Sequence, residues 1–157
     1  PFPKGLYYED LASVYKIIHK VDSVAVVDCR ELYAYRMRSN SIIRQEYRHI
    51  KGESALIIAD QLYRDICNWY PDLSEAAASR CFSVCRMVFA QIPTINSHSR
   101  QIQDTDSLWS VLSLHRKAVL RDREARPRER FAAFVAYFGK SAFSLFCCVA
   151  RGLGLLR

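Results

Sequence analysis

The sequence predicts an α+β chain that is mainly α-helical: an N-terminal helix, a short two-stranded β segment, and a helical, bundle-like tail. Three observations predict it. Apolar residues recur at helical spacing over most of the length. One β-branched run and one alternating run stand close together between residues 23 and 38. Glycine and proline are few, five of each, which disfavours a turn-rich β architecture. At 157 residues, half of them hydrophobic and a quarter charged, the chain is long enough to bury a core and does not have a disordered composition.

Leu11, Val14, Tyr15, Ile17 and Ile18 follow Glu9-Asp10 at helical spacing, so residues 9–20 read as the first helix. "SVAVVDC" (23–29) is a β-branched run of strand length. "ELYAYRMR" (31–38) alternates Leu32 and Ala34 with Tyr33 and Tyr35, and reads as a second strand after a short turn at Cys29-Arg30. Ser39-Asn40-Ser41 ends it. Beyond that the pattern is helical. Ser54 to Tyr70 is one helix, stopped by Pro71. The run 72–92 is another, with Asp72 and Ser74 as cap candidates and Pro93 beyond its end. The polar stretch 94–103 reads as a loop, after which Asp106 caps a helix from Ser107 to Arg121. A basic linker holding Pro127 leads to a last helix, Phe131 to Ala150. The organisation is then 1–45, 46–122 and 123–157.

The formal net charge is +7, with much of the surplus in "RKAVLRDREARPRER", 116–130. Such an excess suits phosphates, nucleic acid or anionic membranes. Six cysteines, at 29, 67, 81, 85, 147 and 148, contain no C-x-x-C pair, and His19, His49, His98 and His115 are scattered, so no zinc pattern forms. Cys81 and Cys85 share a helix face, a packing position. Cys147-Cys148 has two readings, core packing or acylation beside a membrane. The set reads as reduced, which points to the cytoplasm.

The stretch "FPKGLYYEDLASVYKIIHKVDSVAVVDCRELYAYRMRSNSI" resembles the C-terminal part of the catalytic domain of family 2 glycosyltransferases, the bacterial enzymes that build surface polysaccharides. The resemblance rests on Phe2, Gly5, Tyr8, Glu9-Asp10, Tyr15-Lys16, Val24 to Val27, Leu32-Tyr33, Tyr35-Arg36, Arg38 and Ser41-Ile42, in that order, over about a quarter of the chain. It implies the acceptor-side edge of a GT-A domain in residues 1–45, followed by a helical extension. The half that binds the nucleotide sugar, and that carries the Asp-x-Asp holding a divalent metal (Mn or Mg), has no counterpart here. By this resemblance the chain is a piece of a longer enzyme, inactive by itself and binding no metal of its own. The whole enzyme would take a nucleotide sugar and a glycan or lipid-linked acceptor. A surface meant for the missing half would also allow self-association into a homo-oligomer.

Glycosyl transfer needs a base for the acceptor hydroxyl and a cationic partner for the leaving diphosphate. By resemblance Asp10 is the base and Glu9 its neighbour in the acceptor site. The helix start holds a carboxylate rigidly but favours its charge, so an apolar wall is needed to tune it as a base. Tyr7 and Tyr8 could supply that wall, and Tyr8 could stack on a sugar. Read from spacing alone, both acids cap the helix. Arg36 and Arg38, two apart on a strand, share a face and either fork a diphosphate or bridge to acids such as Glu31. Ser41 either donates to a phosphate or caps the following turn. Lys16 reads as a solvated charge, and Trp69 and Trp109 as core.

"DTD", 104–106, has the letters of a metal-binding Asp-x-Asp but lies on the wrong side of Glu9-Asp10, so Asp106 reads as an ordinary cap. The run 131–150 is about long enough to cross a bilayer, but Lys140, Ser141 and Ser144 interrupt it. With the basic linker it reads as an interfacial helix touching a membrane through 116–150, or as plain core. The location expected is then the cytoplasm, peripheral at the inner face of the plasma membrane if the tail binds lipid. The rival function is a basic helical module that binds protein or nucleic acid without catalysis. Residues 1–45 give that reading nothing, and no recognition-helix motif supports nucleic acid.

Overall fold

Each long apolar periodicity in the sequence becomes a helix. The computed structural model describes residues 2–28, 46–93 and 99–153. Within them α1 spans Glu9–His19, α2 His49–Trp69, α3 Ser74–Phe89, α4 Ser99–Arg121, α5 Pro127–Val135 and α6 Lys140–Gly152. Short 3-10 turns at Pro71–Leu73 and Ala136–Phe138 join α2 to α3 and α5 to α6. Proline opens both the first of these turns and α5, positions where its missing N–H costs nothing.

The core forms around α3, which packs on α2 along one side and α4 along the other. Small residues bring α2 and α3 close. Ala55 and Ala59 face Ala77, Cys81 and Cys85, and the Cys81 thiol donates to the Ala59 carbonyl at 3.1 Å. Burial pushes the Cys81 and Cys147 thiols up to about 12, so both stay protonated and act as small apolar groups. Where α3, α4 and α6 meet, Phe143 is ringed by Phe82, Phe89, Trp109 and Phe146 at centroid distances of 5.3–6.4 Å.

One buried ion pair crosses this core. Arg86 on α3 donates through Nε and Nη2 to the Glu129 carboxylate on α5, at 2.6 and 2.7 Å, with both side chains nearly fully enclosed. The other residues α5 buries are Ala132 and Ala133, followed by Ala136 in the next turn. Its aromatics, Phe131 and Phe134, face outward.

The expected α+β class is corrected. All regular structure among the described residues is helical, with no strand or sheet. Residues 23–28 form no strand, and Val24, Val26 and Val27 stand in solvent, Val26 at 94% exposure. β-branched composition favours a strand only when a neighbour pairs its backbone and a layer covers one face, and among the described residues neither is present here. The second expected strand, 31–38, lies outside the described residues. Three helix boundaries also move. α2 begins at His49, before Ser54. α4 begins at Ser99, so Asp106 is inside the helix and does not cap it; its carboxylate pairs instead with Lys140. The single last helix is two helices, broken at Gly139, whose φ of 95° and ψ of 171° suit glycine alone. No helix among the described residues is long and apolar enough to cross a membrane.

Arg86→Met or Glu129→Leu alone should cost about 3–5 kcal/mol by stranding a buried charge, while the double variant recovers most of the loss; urea denaturation of the four proteins measures this. His115, buried on α4 against the Tyr63 ring, has its pKa held below the ordinary imidazole value by desolvation. The unfolded chain therefore takes up the proton first as pH falls. The His115 contribution is fully present above about pH 6.5 and is lost as pH drops below it, a slope that His115→Phe should remove.

Candidate functional site at the start of α1

The residue before α1, Tyr8, has left-handed backbone angles (φ 62°, ψ 40°), unusual for a residue with a large side chain. Packing holds it there. The Tyr8 ring lies against the core with Gln91 as its hydrogen-bond partner, and burial pushes its phenol pKa up. The Tyr7 N–H donates to Ser54 Oγ at 3.1 Å, and the Tyr7 ring lies 6.0 Å from Lys51 Nζ. The chain thus enters α1 with its direction fixed by α2.

α1 then runs alongside α2 in the same sense. Tyr7 meets Ser54, the Tyr15 hydroxyl donates to Asp65 at 2.7 Å, and the His19 ring stacks on Trp69 at 3.8 Å. Lys16, expected in solvent, is half-buried and lies 3.7 Å from Asp65. Trp69 belongs to this seam, while Trp109 packs on the core.

Glu9 and Asp10 occupy the first turn of α1 and are both exposed. No side chain caps this helix, so neither acid ties off backbone amides in the way that spacing alone would suggest. Helical register then places Asp10 at the head of a stripe continuing through Val14, Ile17, Ile18 and Val21. All four apolar residues are about half exposed, and α2 covers the opposite face, Ala12 and Ser13 included. Arg36, Arg38 and Ser41 lie outside the described residues.

Beside this helix start is a polar cluster that the sequence reading missed. Asp104, buried on α4, accepts from the Tyr47 hydroxyl at 2.6 Å and from His49 Nδ1 at 2.7 Å. Burial first, and the Asp104 carboxylate second, push the Tyr47 phenol far above its ordinary pKa. Lys51, almost wholly enclosed, reaches Gln91 Oε1 at 3.3 Å, and burial holds its pKa down. Gly52 makes room for the cluster, because a Cβ there would lie 2.5 Å from the Tyr47 oxygen.

A signal for these residues was present. Lys51 shares a stripe with Ala55, Ile58, Ala59 and Leu62, and Asp104 shares one with Leu108, Leu112, His115 and Val119. A charged residue in an apolar register is a buried polar site or an error, and here both are satisfied.

"DTD" is thereby divided, with Asp104 inward on Tyr47 and His49 and Asp106 outward on Lys140. Among the described residues no three His, Cys, Asp or Glu side chains come together as a metal site. A groove of about 440 Å³ between the ends of α3 and α4 and the flank of α6 lies elsewhere, lined by Phe89, Ile102, Thr105, Lys140, Ser144 and Arg151 among others, and includes neither Glu9 nor Asp10. No family model, curated protein or solved structure matches this chain.

Tyr47→Phe should cost about 1–3 kcal/mol by leaving Asp104 short of a buried donor. Gly52→Ala should destabilise the wild type, because the new methyl displaces the hydroxyl. In the Tyr47→Phe background the same change should stabilise by about 0.5–1 kcal/mol, through helix propensity alone. Thermal melts of the four proteins test this reversal of sign.

Proposed function

We propose that this chain is the acceptor-side part of a family 2 type glycosyltransferase, which transfers a sugar from a nucleotide sugar to a glycan or lipid-linked acceptor. Asp10 is the general base and Glu9 its neighbour in the acceptor site. The observation that carries the reading is the placement of Asp10. It is exposed, uncapped, and at the head of an apolar stripe that α2 leaves uncovered. A catalytic base completed by another part of an enzyme has to stand at such an edge, free of structural hydrogen bonds and beside a surface ready to be covered.

The neighbouring groups suit the role. Tyr7 and Tyr8 lie 6.2 Å apart at the ring centroids, tilted 55° to one another, and their part-exposed rings offer aromatic surface beside the helix start on which a sugar ring can rest. Tyr8 is held by Gln91 and the core, and the Tyr7 backbone by Ser54, so this surface is fixed before an acceptor arrives. Arg36, Arg38 and Ser41 remain the proposed partners of the diphosphate. The divalent metal and the nucleotide belong, on this reading, to the segment that covers Val14, Ile17 and Ile18.

In the enzyme that carries these residues, Asp10→Asn should lower transfer by about 10²-fold or more, the typical contribution of a general base. Binding of the nucleotide sugar, measured by calorimetry, should persist. Transfer at a near wild-type rate removes Asp10 from the mechanism. The 157-residue chain alone should show no tight, metal-dependent uptake of a nucleotide sugar; finding such uptake would overturn the assignment of the donor site to another segment.

A further inference from the structure

We infer that the outer face of α5 and α6 is a docking surface for an anionic lipid bilayer. The reasons are independent of the transferase reading. α5 turns the usual amphipathic arrangement inside out. It buries two alanines and one glutamate and presents Phe131 and Phe134 to solvent, with Phe138 beyond them at 68% exposure. α6 adds Leu145, Val149 and Leu153, a stripe four residues apart on the side away from buried Phe143 and Cys147. Phe131 contacts Phe146 of α6 edge-on at 5.6 Å, which brings the two helices together at this side, and within the first set Phe134 and Phe138 pair at 5.4 Å. Large exposed aromatics gathered in one place mark a surface that meets something.

The charge around this face selects the partner. Arg128 and Arg130 flank Phe131 on α5, both exposed, and Arg121, Arg123 and Arg126 precede them, against the two acids Asp122 and Glu124. The one acid of α5, Glu129, is buried and held by Arg86, with the exposed Arg128 3.6 Å from its Oε1, and α6 contains no acid. Among their described residues the two helices therefore expose arginine and aromatic groups and no carboxylate, and the linker before them is basic in balance. A second copy of the chain would have to set arginine against arginine across a two-fold axis. A bilayer with anionic headgroups instead takes the guanidinium groups at the phosphate level and the Phe rings at the acyl boundary. The break at Gly139 fits this geometry. It converts an apolar run of near-spanning length into two helices of nine and thirteen residues, neither able to cross a membrane but both able to lie along one.

Cosedimentation of the whole chain with phosphatidylcholine vesicles, with and without roughly 30% phosphatidylglycerol, tests the inference. Binding should be at least about tenfold stronger to the anionic vesicles and should weaken as salt is raised. Phe134→Ser with Phe138→Ser should reduce it about tenfold or more while circular dichroism keeps its helical intensity. Arg128→Gln with Arg130→Gln should reduce binding to the anionic vesicles and leave the weak binding to neutral ones unchanged. No binding, equal binding to both vesicle types, or binding insensitive to the phenylalanine changes would overturn the inference. So would a dimer, detected by ultracentrifugation, that the Phe134→Ser and Phe138→Ser pair dissolves, since the face would then serve a second copy.

Discussion

The bidentate pair between Arg86 and Glu129 decides how the C-terminal third of the molecule is arranged. α5 has two ways to face the core. Turning its phenylalanines inward would bury far more apolar area than two alanines do, at about 0.8 kcal/mol for each methylene enclosed. The helix does the opposite, and Glu129 lies on its inner face beside Ala132 and Ala133. A carboxylate on the inner face needs a partner with matched geometry, and the Arg86 guanidinium supplies two donors in a plane at 2.6 and 2.7 Å. Replacing such a pair with hydrophobic side chains is often neutral or stabilising, so the pair is better understood as fixing the rotation of α5 than as adding stability. With that rotation set, Phe131, Phe134 and Phe138 face outward and the arginines flank them.

A second constraint acts at the opposite end of the chain. Tyr8 takes up a left-handed conformation with no glycine to ease it, at a cost on the order of 1–3 kcal/mol. Gln91, the core and the Ser54 hydroxyl offset that cost. The result is an abrupt entry to α1 that leaves Glu9 and Asp10 without cap duties. The same neighbourhood holds Asp104 between Tyr47 and His49, a buried acid fully used by two donors from a different part of the chain.

Much of the helical layout was legible in the sequence, because apolar residues three and four apart announce a helix wherever a core is there to receive them. α1 and α3 fall within a few residues of their expected bounds. The failures have separate physical causes. The run 23–28 has strand composition but no partner strand among the described residues, and composition cannot supply one. Asp106 looked like a cap because the polar stretch before it resembled a loop; Thr105 and Ser110 return their hydroxyls to Gln101 and Asp106 carbonyls inside the helix, where such residues are tolerated. The break at Gly139 turned on one backbone angle, invisible in an apolar run. Of the candidate site, the exposed acids at the start of α1 were readable from spacing. The Asp104 cluster joins residues more than fifty positions apart, and only the polar intrusions at Lys51 and Asp104 in apolar stripes hinted at it.

The side-by-side, same-direction packing of α1 on α2 has an electrostatic consequence. Antiparallel neighbours let their peptide dipoles cancel, but here both helices aim their unsatisfied amide ends at the same pole of the molecule, each equivalent to about half a positive charge. Lys51 adds a cation beside that pole, and Glu9, Asp10 and Asp104 are the nearby anions available to balance it. The acids at this end therefore carry a share of the fold's own electrostatic neutrality, and any chemistry performed by Asp10 is done with a charge that the helix pair also needs.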